Sequence, residues 1–268
     1  MIFPKLNSLP YGHPWREQIQ YFDCIPSTND LAKQLVQRGA PHGTVLLADS
    51  QSAGRGRMGR SFLSPSGHGI YMSVLLRQHC KPEELMHLTC ATAVALCDAL
   101  EQSCGIRPGI KWTNDLVCHA RKLAGILTEL CLDPATGLVD YAIVGIGINC
   151  TQKTEDFPLQ LQSVASSLAA VTGKNIDREQ VASAVLEHLS QMDARLRSQK
   201  DTILAQYRRD CITLGKDISL LRGDNVQYGH ALDITDDGAL LVRFSDGSTA
   251  AVNSGEVSVR GMYGYVEK

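Results

Sequence analysis

The chain has 268 residues, 44% of them hydrophobic, with 26 Lys+Arg against 28 Asp+Glu and a formal net charge of −2. There is enough apolar material for a sizeable core, which excludes disorder, and the near-neutral balance excludes the strongly basic domain of a dedicated nucleic-acid binder. No run of about 18 apolar residues occurs and residues 1–7 lack the apolar core of a secretory signal, so no membrane span and a cytoplasmic location are expected.

Ser27 and Asp30 form the pattern of a capping box that opens a helix over 27–39, with Leu31, Leu35 and Val36 on one face and Gly39 at the end. Residues 43–49 read as a strand. Residues 51–69 carry glycines at 54, 56, 59, 67 and 69, Pro65 and no periodicity, which predicts a long loop of the kind that is usually functional. A strand follows over 70–77, and Pro82 opens a helix predicted to reach about 103. Strand-like segments lie near 109–117, 122–132 and 139–149. Helices span about 177–198, with Val181, Val185, Leu189, Met192 and Leu196 on one face, and about 201–213. After Gly215, short apolar runs alternate with turn signals at 222–225, 236–238 and 245–247, the texture of a small β-barrel of four or five strands. That segment holds eight acidic and five basic residues, a net charge of −3. The expected division is 1–214 and 215–268.

Nine cysteines stand at 24, 80, 90, 97, 104, 118, 131, 150 and 211. No pair has CxxC spacing and the number is odd, so reduced, mostly buried thiols are expected rather than a disulfide framework. Cys90, Cys97 and Cys104 recur every seven residues and would share a helix stripe. Cys80, His87 and Cys90 make an incomplete metal set.

Gly54-x-Gly56-x-x-Gly59 formally matches a dinucleotide fingerprint, but Pro65, Gly67 and Gly69 follow where that motif needs a helix. The segments that accompany a kinase glycine loop are absent. Arg55, Arg57 and Arg60 stand in the loop with no acid between 51 and 69. Glycines let backbone wrap a ligand, and guanidinium groups grip carboxylate or phosphate in bidentate fashion. An anion-gathering loop, a solvated loop and an RG-type nucleic-acid segment all remain open on these residues alone. Three further segments set polar groups into apolar, strand-rich sequence: Lys111-Trp112-Thr113-Asn114-Asp115, 122–127 and 145–149. Burying such groups without partners is costly. An Asn–Asp pair can read an adenine edge and hold a metal ion, and a lysine near glycine can lie against an anion, although turn or cap chemistry explains each segment singly.

Together these segments resemble the biotin–protein ligases, which attach biotin to carboxylase carrier domains, and they occur in that family's order: Ser27-Thr28-Asn29; Gln51-x-x-Gly54-Arg55-Gly56-Arg57 with Gly59-Arg60; Lys111-Trp112-x-Asn114-Asp115; Arg121-Lys122-Leu123-Ala124-Gly125-Ile126-Leu127; and Gly145-x-Gly147-Ile148-Asn149. The resemblance covers roughly 20–268. It implies an α+β fold: a mixed sheet with helices of the class II aminoacyl-tRNA-synthetase type, followed by an SH3-like barrel. It implies activation of biotin with ATP and Mg²⁺ to biotinyl-5′-AMP, then transfer to a lysine of a biotin carboxyl carrier domain of acetyl-CoA carboxylase or a related enzyme.

Carried over by residue, Ser27, Thr28, Asn29, Gln51, Arg55, Gly56, Arg57 and Lys122 would meet biotin. Arg57, Phe62, Trp112, Asn114, Lys122 and Asn149 would meet ATP or the adenylate. Arg57, Lys122 and Asp115 would be catalytic, with Asp115 a candidate Mg²⁺ ligand. Met58 stands where the family often has Arg, and Thr113 where it usually has Pro. The 26 residues before Ser27 are expected to be too few for a DNA-binding winged helix, so no DNA partner and no membrane partner are expected, and a homodimer is compatible. A lipoate–protein ligase would need RRxxGGG and HD segments, which are missing. A non-catalytic nucleic-acid binder built on an RG loop and an SH3-like barrel conflicts with the barrel's charge of −3.

Overall fold

The computed structural model describes residues 6–222, 225–253 and 255–259. Its first strand, β1 (Ile19–Ile25), is missed by the sequence reading because an edge strand with a mixed burial pattern shows no clean alternation. Ser27 then caps α1 (Thr28–Gln37), its Oγ accepting the Asp30 N–H. The helix ends where Gly39 takes a left-handed φ of 81°, which glycine alone adopts freely. The expected reciprocal half of the capping box is not made, because the Asp30 carboxylate turns to Arg55 instead.

β2 (Thr44–Gln51) and β3 (Gly69–Leu76) run through the centre of the molecule and are almost wholly buried. Pro82 opens only a short 3₁₀ turn (Pro82–Glu84). The long helix α2 begins later, at Leu88–Cys104, because the buried His87 at its N-cap is fixed by its Nε2 contact with Leu196 O (2.8 Å). The single strand expected near 109–117 is a hairpin of β4 (Gly109–Lys111) and β5 (Asp115–Cys118). Its turn is held from outside the sheet. Trp112 N–H donates to Thr213 Oγ1 (2.9 Å) and the Tyr207 hydroxyl donates to Thr113 O (3.1 Å). β6 (Arg121–Leu132) and β7 (Val139–Asn149) follow as expected. Next come the short α3 (Leu168–Thr172), which was not predicted, then α4 (Arg178–Arg195) and α5 (Lys200–Asp210).

The first sheet has the order β1-β2-β3-β7-β6-β5-β4, parallel between β1 and β2 and antiparallel elsewhere. α1 covers one face over a small core of Ala32, Leu46, Leu75 and Ile143. α2, α4 and α5 build the main core on the other face. α2 is buried on almost every side, and this explains its cysteine stripe: Cys90, Cys97 and Cys104 are small apolar fillers. All nine cysteines are free, and burial pushes the Cys90 and Cys150 thiols up to about 12.

The last five strands, β8 (Asp217–Arg222), β9 (Asn225–Ile234), β10 (Leu240–Phe244), β11 (Thr249–Val252) and β12 (Glu256–Val259), form an antiparallel sheet ordered β11-β10-β9-β8-β12. Part of the turn expected at 222–225 and the end of the predicted barrel after 259 lie outside the described residues. This sheet docks through Trp112, whose Nε1–H donates to Gly238 O (3.0 Å), and through Arg208, which pairs with Asp233 (3.1 Å) and bonds Ile234 O (3.0 Å). Among the described residues no helix is long and apolar enough to cross a membrane.

Asp49 anchors the far end of the glycine loop. It is almost fully buried and accepts from Arg178 (2.7 Å), Ser66 and the Gly67 N–H. Burial by itself would raise its pKa, but the bonds from Ser66 and Arg178 outweigh that and hold the carboxyl below its ordinary range. Because the folded pKa lies below the unfolded value of about 3.9, the stabilisation is complete above that pH and is lost as pH falls through the folded value. Asp49→Asn is expected to cost about 3 kcal/mol at neutral pH, near the lower end for removing one partner of a buried ion pair. Urea titrations should show a constant gap between wild type and variant from about pH 7 to pH 5 that shrinks below about pH 4. A gap independent of pH would exclude the ion pair as its source.

Candidate functional site

β6 and β7 are neighbours, with Gly125 opposite Gly147 and Leu127 opposite Gly145. The missing side chains hollow out the sheet. A Cβ at Gly145 would collide with Asn29 Oδ1, and one at Gly147 would come within 2.5 Å of the Phe62 ring. The resulting cavity is lined by Ser27, Thr28 and Asn29 at the start of α1, Gln51 at the end of β2, Arg55, Gly56, Arg57 and Phe62 of the loop, and Asn114 and Lys122. These residues come from separate segments of the sequence, and the fold brings them to one place. The role of the glycine pair 145 and 147, to admit Asn29 and Phe62, could not be read from spacing.

The polar lining is held in order by its own bonds. Gln51 Oε1 accepts both the Thr28 N–H (2.8 Å) and its hydroxyl (3.2 Å), while Gln51 Nε2 donates to Ser64 Oγ (3.0 Å). The buried Ser73 Oγ lies 2.7 Å from Thr28 Oγ1 and 2.6 Å from Asn29 Oδ1. Ser73 was not anticipated, since nothing in an apolar strand marks one serine as structural.

The 51–69 segment is more ordered than its composition suggests. It folds back on itself through Gln51 N–H to Ser64 O (3.1 Å), Phe62 N–H to Gly54 O (2.8 Å) and Gly56 N–H to Arg60 O (2.6 Å). Its arginines separate. Arg55 lies in the cavity lining, and its guanidinium pairs with Asp30 (2.6 Å) and Glu129 (3.2 Å). The half-buried Arg57 points inward and donates to Asn114 Oδ1 (3.0 Å). Burial lowers its pKa, the charge of Asp115 opposes the shift, and no carboxylate pairs with it among the described residues.

A second cavity adjoins the first and shares Gly56, Arg57, Phe62, Asn114 and Lys122. It adds Met58, Arg60, Lys111, Trp112 and Asp115, together with Gly255 and Val257 from the second sheet. Four cationic side chains thus face one carboxylate in the described lining. Lys122 Nζ lies 2.7 Å from Asp115 Oδ1 and 6.0 Å from the Phe62 ring centre. Asn114 is pinned to β6 through Nδ2 to Ile126 O (2.9 Å) and the Ile126 N–H to its own carbonyl (3.0 Å). Lys111 is nearly buried, and its presence in an apolar strand was the signal that could have marked it.

Asn149 is placed differently from the other expected site residues. It lines neither cavity, because the chain after β7 folds back over it. Its Nδ2 donates to Ser166 O (3.0 Å), and Gln152 Nε2 donates to its Oδ1 (3.4 Å). Among the described residues no three His, Cys, Asp or Glu side chains gather into a metal cage. Magnesium is commonly held by one or two carboxylates plus substrate phosphates. The donor set fits an ion that arrives with a phosphate chain and meets Asp115.

Residues 21–149 match the biotin/lipoate A/B protein ligase family, and 213–260 match the biotin protein ligase C-terminal domain. The chain is 36% identical over 236 residues to a bifunctional ligase/repressor BirA of Bacillus spizizenii, covering 86% of this chain and 71% of the relative. It is 30% identical over 255 residues to a biotin–[acetyl-CoA-carboxylase] ligase of Mycobacterium tuberculosis, covering 92% and 90%. Its fold is similar to that of a biotin protein ligase from Aquifex aeolicus solved with biotin and ATP, with a TM-score of 0.75, 30% identity, and 91% of this chain and 99% of that one covered.

The glycine floor makes a graded prediction. Gly145→Ala and Gly147→Ala should each cost about 1–3 kcal/mol through overpacking. Gly125→Ala should cost clearly less, because its added Cβ would meet mainly the flexible end of Lys122, at 3.1 Å. Chemical denaturation of the three variants checks the order, and equal losses would refute the close-approach account.

Proposed function

The chain belongs to the biotin–protein ligase family, and from that premise we propose how its two cavities activate biotin with ATP and pass it to protein. The single observation that carries the reading is Arg57: a half-buried guanidinium without a carboxylate partner among the described residues, at the junction of two cavities and beside Lys122. The C-terminal domain match and the named relatives favour biotin over the lipoate alternative.

In this proposal biotin occupies the glycine-floored cavity among Ser27, Thr28, Asn29 and Gln51, with its carboxylate toward Arg57 and Lys122. The backbone at Arg55 and Gly56 closes one side. ATP occupies the second cavity, its base and ribose near Trp112, Asn114 and Phe62, and its phosphates near Lys111, Arg60 and Lys122. A biotin carboxylate oxygen attacks the α-phosphorus and pyrophosphate leaves. Two anions must approach for this step, and fixed cations lower its barrier more as charge builds in the transition state. When bound, Mg²⁺ would add neutralising charge at the phosphates, with Asp115 as its protein ligand.

The mixed anhydride must then be shielded from water, which suits a loop folded over it. A lysine amine of a carrier domain attacks the acyl carbon, AMP departs, and Asp115 takes the amine proton. Asp115 is paired with Lys122 (2.7 Å); in the proposal, substrate anions offer Lys122 another partner and leave the carboxylate open to the incoming amine. The proposed acceptor is a biotin carboxyl carrier domain, the proposed compartment is the cytoplasm, and the proposed units are 1–214 and 215–268, with the smaller unit closing the nucleotide cavity through Gly255 and Val257.

Biotin-dependent ATP–pyrophosphate exchange is expected, with none on lipoate; exchange on lipoate alone would reverse the assignment. Arg57→Gly should release free adenylate and label bystander proteins. Labelling confined to the carrier would contradict the shielding role. Asp115→Asn should slow transfer from preformed adenylate by about 100-fold or more, the range for losing a general base, with pyrophosphate exchange falling less. An undiminished transfer rate would remove Asp115 from that step.

A further inference from the structure

Glu129 lies on β6 outside the lining of both cavities, yet three parts of the site converge on it. Its Oε2 accepts from Asn29 Nδ2 (2.9 Å), and its Oε1 pairs with Lys33 (2.7 Å) and with Arg55 (3.2 Å). Arg55 in turn pairs with Asp30 (2.6 Å). Asn29, Asp30 and Lys33 belong to α1, and Arg55 is two residues from the inward-facing Arg57. Burial would raise the Glu129 pKa, but Lys33, Asn29 and Arg55 outweigh it and keep the carboxyl below its ordinary range, so it is ionised at neutral pH.

An ionised carboxylate only accepts hydrogen bonds. It therefore fixes which way the Asn29 amide faces: Nδ2 toward Glu129 and Leu127 O (3.3 Å), Oδ1 toward Ser73 and the glycine floor. The cavity is offered an acceptor at that point, which suits a ligand N–H such as those of biotin's ureido ring. The same carboxylate holds the arginine at the root of the loop. We propose that Glu129 is a positioning residue that joins the biotin cavity to the loop, setting the Asn29 amide and anchoring Arg55 so that order in one favours order in the other. This rests on the biotin-ligase reading above. It assigns the Arg55 side chain an anchoring role, while its backbone closes one side of the cavity.

The pairs are part-exposed, each weak alone, and share their ordering cost as a network. Glu129→Gln retains the shape and removes the charge. The variant should release biotinyl-adenylate about 5–10-fold faster and raise the biotin KM about 5-fold, with the ATP KM within about twofold of wild type, because the second cavity is untouched. Glu129→Asp, which keeps the charge, should recover part of the retention. Salt gives an independent arm. Raising ionic strength from about 0.05 M to about 1 M should speed adenylate release from the wild type, since part-exposed charges are screened. Unchanged release and biotin KM in Glu129→Gln, a merely lowered melting temperature, or salt-independent release by the wild type would each overturn the proposal. The parent reading fails separately, by absence of biotin-dependent exchange in the wild type.

Discussion

The site depends on a close approach that only glycine permits. β6 and β7 lie side by side in the middle of a seven-stranded sheet, where side chains ordinarily fill the space against the covering layer. Gly125, Gly145 and Gly147 leave that space empty, and Asn29, Phe62 and Lys122 come down onto it. A helix start, a loop and a strand thereby converge on one floor. The strands supply rigidity through their pairing, and the loop supplies the groups that close over the cavity.

Charge is distributed on that floor with a division of labour. Arg55 is held by carboxylates from α1 and β6, whereas Arg57 makes one neutral hydrogen bond and points into the cavity. A satisfied cation contributes little new attraction for a ligand anion. A half-buried one without a carboxylate partner contributes much more, because little water screens it. Lys122 stands between these cases, part-exposed and paired with Asp115 alone among the described residues. Neighbouring residues of one composition thus do different work according to what each side chain meets.

The second sheet is tied to the same centre. Trp112 is bonded through its backbone to Thr213 and through its indole to Gly238, while Tyr207 holds Thr113 O. The turn that presents Asn114 and Asp115 is therefore braced by α5 and by the small sheet together. Gly255 and Val257 complete the second cavity from that side.

By itself the sequence determined the central elements, because their periodicity and end signals are local: the Ser27 cap, the apolar runs of β2, β3, β6 and β7, and the turn residues of the last five strands. It also determined the family, since five short motifs in order carry side chains whose chemistry needs no coordinates to recognise. It did not reveal β1 or α3, whose burial patterns depend on neighbours distant in the chain. Nor did it separate the partners of Arg55 from those of Arg57, show Asn149 bonded to Ser166 and Gln152, or reveal Ser73 and Glu129 as neighbours of Asn29. Those outcomes are pairings between residues tens of positions apart, such as Asn29 with Glu129 and Arg57 with Asn114. Sequence spacing records which groups are available, and only the packed sheet decides which are already satisfied and which remain to meet a ligand.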